Sequence, residues 1–467
     1  MNPARKTSLK LARPKSAPYV STTNACKLCT PLGACLAFRG VENTVPFLHG
    51  SQGCATYMRR YIISHFREPV DIASSSLGEK HAIYGGSQNL KQGLQNVMSK
   101  YGPQLIGVAT TCLTETIGDN VPMFVKEFQE EHGGNGHEAA MPLIVTVSSP
   151  SYHGTHMEGF HQAVRALIDR LAEPAERTAS VNLLPGFGSP ADIRHIKEIM
   201  ADFGLTAIIL PDISETLDGP ILATYARIPA GGTPLADIKI MSGSQATLEF
   251  GATLKNQDTA GKLLETRGGG TLYQVGQPIG LRETDFYFGL LEVLAGRPTP
   301  IKHVLERGRL LDALVDGHKY VFGKRAVVYG EEDLVVGLTA FLAEIGIHPV
   351  LCASGGDSGY LKEAITAVTA DLLPNPPQIR GGVDFYDIAQ EAGSLAPDLI
   401  VGHSKGYHLA RRWKIPLIRV GFPIHDRFGG HRILHLGYRG AQQLLDRIIN
   451  AILAKKQEDS PVGYGYL

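Results

Sequence analysis

The chain has 467 residues, 43% of them apolar, and its 45 Lys+Arg balance 45 Asp+Glu to a formal net charge of zero. That apolar content supports a large core and excludes global disorder. The charge balance offers no basic field for nucleic acid or a membrane surface, and no apolar run is long enough to span a bilayer.

The first stretch, "MNPARKTSLKLARPKSAPYVS", is basic but lacks the apolar centre of a secretory signal. It reads as a flexible arm over 1–20. A cytoplasmic location with reduced thiols is expected, and six cysteines are too sparse for a disulfide scaffold. Short apolar runs ending in small or polar residues then recur along the chain. They are "LIGVATTC" (105–112), "PLIVTVSSP" (142–150), "SVNLLPGFG" (180–188), "TAIILPD" (206–212), "RAVVYGEED" (325–333), "HPVLCASGG" (348–356), "DLIVGHSKG" (398–406) and "IPLIRVGFP" (415–423). Each reads as a buried parallel strand entering a polar loop. "DLVVGLTAFLAEIG" predicts a helix over 333–346, stopped at Gly346. Strand and helix in alternation predict an α/β fold with parallel sheets.

Boundaries are expected in "AEPAERTAS" near 178 and in "AGRPTPIKH" near 300, giving α/β domains over 21–178, 179–300 and 301–467. "GGDSGY" and "LLPNPPQIRGG" read as surface loops. The glycine-rich "GGSQNL" and "GGGTLYQVGQ" lack the P-loop pattern, so no ATPase site is expected in this chain.

The cysteines are concentrated. "CKLCTPLGACLAFRGVENTVPFLHGSQGC" spans Cys26 to Cys54 and holds four of the six. Only one C-x2-C pair is present, where a zinc ribbon needs two. That pair precedes any clear strand, which disfavours a thioredoxin-type motif. Cys54 follows Gly50 and Gly53 in "HGSQGC", where the backbone can approach a ligand closely. A nucleophile activated by the adjacent His49 is one reading, although neighbours in sequence do not make a triad. Cys112 ends a predicted strand, and Ser148, Ser149 and Ser151 follow another, where α/β folds bind ligands. Soft thiolates on several loops suit iron–sulfur ligation. Small apolar core residues are the plain alternative, and spacing alone does not separate the two.

The motifs "CTPLGA", "HGSQGC", "HFREP", "SSSLGEKHAIYGG", "NLKQGLQNV" and "TTCLTETIGDN" resemble β-type subunits of the nitrogenase component 1 family. The resemblance continues through "ERGRLLDAL", "VVYGEEDLVVGLTAFLAEIG", "PDLIVGHSKG" and "PLIRVGFPIHDR". It implies three Rossmann-like, doubly wound parallel-sheet domains. It also implies an α-type partner in an α2β2 heterotetramer and a separate ATP-dependent iron protein. An iron–sulfur cluster at the α/β interface, of double-cubane (P-cluster) or single-cubane type, would relay electrons to a larger cluster in the α-type subunit. By motif, Cys29, Cys54 and Cys112 match the cluster cysteines, and Ser151 matches a serine that can ligate the oxidised cluster. Cys26 and Cys35 match no ligand, and Cys352 reads as core. His49 and His65 are expected to pack and hydrogen-bond, and His425 to sit in a turn or subunit contact. The three retained cysteines imply a catalytic relay. The short segment before Cys29 and the tail "QEDSPVGYGYL" are similar to maturation-scaffold and nitrogenase-like sequences. The resulting expectation is a nitrogenase-like methylthio-alkane (C–S bond) reductase. A cofactor-maturation scaffold, or the β subunit of nitrogenase itself, is the alternative.

Overall fold

The computed structural model describes residues 25–133, 141–152 and 154–463; the arm expected over 1–20 lies outside them. The first sheet contains β1 (Thr44–His49), β2 (Ala73–Ser74), β3 (Leu105–Thr110) and β4 (Leu143–Val147) in the order β2-β1-β3-β4. The second contains β5 (Val181–Leu184), β6 (Ala207–Ile209), β7 (Ala246–Phe250) and β8 (Thr271–Val275) in the order β6-β5-β7-β8. The third contains β9 (Arg325–Gly330), β10 (His348–Ser354), β11 (Gln378–Arg380), β12 (Leu399–Gly402) and β13 (Leu417–Arg419) in the order β11-β10-β9-β12-β13. Every pairing in the three sheets is parallel. Strands buried on both faces favour apolar side chains, and β1 and β3 are buried along their whole length.

The eight strands read from apolar runs are all present, as β3 to β6, β9, β10, β12 and β13. Each ends before the polar loop that marked it. The helix expected over 333–346 forms at Glu332–Glu344. Gly346 turns it off at φ +81°, and Ile347 N–H then reaches back 2.9 Å to the Leu342 carbonyl. Five further strands, β1, β2, β7, β8 and β11, are not among the runs read from the sequence. One of them, β11, lies inside "LLPNPPQIRGG", which reads as a surface loop; three residues of it pair along the sheet edge.

Strand order reverses between β1 and β3, between β5 and β7, and between β9 and β12. At such reversals the crossover helices leave to opposite faces, and a crevice opens beyond the carboxyl ends of the strands. Loops beyond the strand ends of all three sheets pack together. His156 Nε2, beyond β4, lies 3.0 Å from Glu331, which follows β9. Thr253, beyond β7, donates its N–H over 2.8 Å to Asp333. Two cavities at the meeting place measure about 30 Å³ each, and a third, between the second and third sheets, about 220 Å³. Binding pockets for small molecules or cofactors are on the order of 300–1,000 Å³. Among the described residues, no helix is long and apolar enough to cross a membrane.

Two buried histidines stand at the seam with the third sheet. His65 Nδ1 accepts the Ile424 N–H at 2.9 Å and packs edge-on to Phe66 and Phe422. Burial, assisted by His431, pushes its pKa down to about 3, and burial does the same to His403. The unfolded chain takes up these protons near 6.5, whereas the folded chain refuses them until about 3. The stability at stake is therefore whole above about pH 6.5 and erodes as pH falls towards 3, by up to about 1.4 kcal/mol per pH unit for each histidine. Urea midpoints should fall from pH 7 to pH 5, and fall less steeply in His65→Gln. Equal slopes in the two chains would exclude His65 as a source of the acid sensitivity.

Candidate functional site

The helix Thr30–Arg39 begins at Cys29, with Pro31 in its first turn, and buries all ten of its residues. It crosses the helix His156–Leu171 on two glycines. A Cβ on Gly33 would lie 1.6 Å from the His156 carbonyl oxygen, and one on Gly159 would lie 1.9 Å from that of Thr30. No other residue type permits backbones so close. The crossing fixes Cys29 against the loop beyond β4: Thr30 N–H donates to Ser151 Oγ at 3.1 Å, and Ser151 N–H donates to Cys112 Sγ at 3.1 Å.

Cys54 and Cys112 flank the reversal between β1 and β3. Beyond β1, Ser51 caps the helix Gln52–Phe66, accepting the Cys54 N–H and donating its hydroxyl to Cys54 Sγ, both at 3.4 Å. Beyond β3, Thr111 caps the helix Cys112–Ile117. The two loops are locked together: the Thr111 and Thr114 hydroxyls both donate to the His49 carbonyl, at 3.1 and 3.0 Å. Gly50 has no room for a side chain, since its Cβ would lie 2.1 Å from Thr111 Oγ1.

The three thiols thus stand at the starts of three helices. They share one neighbourhood. Partial burial raises the Cys29 pKa, the Ser151 hydroxyl opposes that rise, and the Cys112 and Cys54 sulfurs add to it. Cys29 is exposed, and Cys54 and Cys112 are half-buried. The other three cysteines are sealed in. Burial pushes Cys26 and Cys352 up to about 12 and raises Cys35 as well. Cys352 packs inside β10, 3.2 Å from Thr339 Oγ1, and Cys26 lies 4.0 Å from His403 Nε2.

Neighbouring residues divide into supports and bystanders. His49 is engaged by Ser75 Oγ at 2.9 Å and Asp119 at 3.0 Å, and burial lowers its pKa despite Asp119. It therefore stiffens the end of β1 and is not a base for Cys54. Ser149 is buried and tied to Thr110, while Ser148 bonds Glu115. His425 is exposed in an irregular loop beyond β13, with its N–H 3.3 Å from Ser404 Oγ. Sequence reasoning missed Tyr61 and Lys405. Lys405 follows β12, donates to the Ala25 and Lys27 carbonyls at 3.1 and 3.4 Å, and lies 5.6 Å from the Tyr61 ring centre. Its one sequence signal is a lysine in the "HSKG" loop beyond a buried strand.

Among the described residues, no three His, Cys, Asp or Glu side chains converge as they would on a single metal ion. The donor set fits a polynuclear group: soft sulfurs on separate rigid helix starts, with a hard hydroxyl between two of them.

The model for nitrogenase component 1 type oxidoreductases matches residues 29–453. The chain belongs to the nitrogenase component 1 family. Within it, this is a β-type chain. It is 34% identical to the nitrogenase molybdenum-iron protein beta chain of Clostridium pasteurianum, over 93% of this chain and 94% of that one. It is likewise 34% identical to the beta chain of Azotobacter vinelandii, over 94% and 86%. The solved structure "Nitrogenase Cp1 at pH 6.5" superposes with a TM-score of 0.91 at 32% identity, covering 97% of this chain and 98% of that one. A second chain, from "Nitrogenase Cp1 at pH 5", shares the fold at 15% identity and a TM-score of 0.69.

The glycine crossing yields a test on this component 1 chain. Gly33→Ala should cost about 1–3 kcal/mol, read from urea unfolding, because the methyl group meets backbone that cannot yield. Gly289→Ala, whose Cβ meets nothing within 4 Å, should be neutral or slightly stabilising. An unchanged midpoint in Gly33→Ala would mean that the crossing is slack and does not hold Cys29.

Proposed function

We propose that this chain is the electron-relay subunit of a catalytic nitrogenase-type complex. In this reading Cys29, Cys54 and Cys112 contribute three thiolates to an iron–sulfur cluster, and Ser151 stands by as an oxygen ligand. The observation that carries it is the sorting of the cysteines: the three at helix starts around one strand reversal are accessible, and the three elsewhere are buried. Accessible thiols at a surface give half a cage, and an α-type partner completes it. The surrounding surface supports burial against a partner, because Tyr57, Tyr84 and Tyr152 are 54%, 85% and 55% exposed there.

When bound, the cluster supplies a one-electron store between an ATP-dependent iron protein and the partner's own cluster. The residues of this chain set its surroundings. The helix starts and the Ser151 N–H offset negative charge on sulfur, and the Ser51 cap fixes the Cys54 loop. In this reading the partner binds the substrate. Three thiolates from one side favour a double cubane over a single one, and so a relay over a maturation scaffold. The names of the similar chains favour dinitrogen as the substrate of the complex; none of them supports the C–S bond reduction expected from the sequence.

The test is iron and sulfide content after oxygen-free co-purification with the α-type partner, using a partner variant that lacks its own cluster. Cys54→Ala should lose iron and weaken subunit assembly, because a metal ligand is also a folding contact. Cys352→Ala should keep both. Full iron in Cys54→Ala would refute the ligand assignment, and a single-cubane count in the unaltered complex would move the reading to the scaffold. Ammonia formation by the intact complex, measured beside methylthio-alkane cleavage, separates the two substrates.

A further inference from the structure

We infer that the Lys405 ammonium is a fixed positive charge that raises the reduction potential of the cluster held at Cys29, Cys54 and Cys112. The inference rests on the cluster reading above and extends it to a residue on the other side of the fold. Lys405 lies beyond β12, at the reversal of the third sheet, and its loop meets the segment that leads into Cys29. Its Nζ donates to the Ala25 and Lys27 carbonyls, and Lys27 is two residues from Cys29. Tyr61, from the helix that carries Cys54, presents its ring to the same ammonium.

A half-buried ammonium needs an anion in reach. Among the described residues Lys405 has no carboxylate within ion-pair distance; its hydrogen bonds go to neutral carbonyls. The groups that act on it electrostatically are Cys26, Cys29 and Glu331. Glu331 is engaged by His156 at 3.0 Å. Cys26 is a sealed thiol that stays protonated at ordinary pH. Cys29 lies two residues beyond the Lys27 carbonyl that Lys405 holds, and as a cluster ligand it would be the outlet through which the lysine feels the cluster. Each one-electron reduction, with the electron supplied by the iron protein, adds one negative charge to the cluster. A nearby cation stabilises that added charge and moves the potential upward.

Three variants separate charge from hydrogen bonding. Lys405→Arg keeps both, Lys405→Gln keeps a donor to the Ala25 and Lys27 carbonyls without the charge, and Lys405→Met keeps neither. The co-purified complex, with a partner lacking its own cluster, is assayed for iron and then titrated with dithionite and mediators by electron paramagnetic resonance. Lys405→Gln and Lys405→Met should lower the midpoint together, changing the reduced-to-oxidised ratio at fixed potential about tenfold (~59 mV), with Lys405→Arg at the original value. Unchanged midpoints in Gln and Met at full iron content would overturn the inference. So would a shift in Met alone, which would make Lys405 a hydrogen-bond clamp. Absence of iron from the unaltered complex would instead refute the cluster reading.

Discussion

The architecture of the site depends on one contact between two backbones. At the crossing of Thr30–Arg39 with His156–Leu171, glycine hydrogens face carbonyl oxygens where any side chain would collide. The first helix starts at Cys29, and the second follows directly on the loop that bears Ser151. The crossing therefore carries the hydrogen bond from Thr30 to Ser151, and through Ser151 N–H the contact with Cys112. The same helix start places His156 against Glu331 and so joins the loops of the first and third sheets. A buried pair of this kind adds little net stability, but breaking it strands a charge in the interior. It acts as a registration device between sheets, while apolar packing supplies the free energy.

Parallel sheets explain why polar and reactive residues gather where they do. A strand buried on both faces has no place for a thiolate along its length, so Cys352 within β10 is inert. The first freedom from the core comes where the strand ends, and there a helix start supplies unpaired N–H groups. Cys54 and Cys112 occupy those ends on either side of one reversal. The third sheet presents Glu331 and Lys405 at its own reversal by the same logic. One topological rule thus positions Cys54, Cys112, Glu331 and Lys405 from different parts of the chain.

This physics sets what the sequence revealed. The continuous runs in β3, β9, β10 and β12 were legible because double-sided burial demands them. β7 was not: Glu249 interrupts its pattern, and its carboxylate is satisfied only by tertiary partners, Thr259 Oγ1 at 2.7 Å and the Gly261 N–H at 3.1 Å. β8 and β11 lie at sheet edges, where burial is partial and the pattern fades. The loops bearing Cys29, Cys54, Cys112 and Ser151 stood out because small residues crowd around them, and the structure does bring the four together. Ser51, Tyr61 and Lys405 did not stand out. Their parts follow from a local cap or from an approach between segments more than 300 residues apart, and neither leaves a periodic trace.

The exposure of Cys29 follows from the same arrangement and bears on the proposed sharing of a cluster between chains. Its own helix is fully buried and cannot rotate to hide it, and Ser151 holds the helix start from the other side. In the cluster reading proposed above, a thiol fixed at this surface forms part of half a cage, and the partner supplies the rest. Rigidity on this side then becomes useful: a redox centre that changes charge without moving its ligands wastes little energy in reorganisation, and the glycine crossing, the Thr111 and Thr114 bonds to His49, and the Ser51 cap all act to keep the sulfurs still.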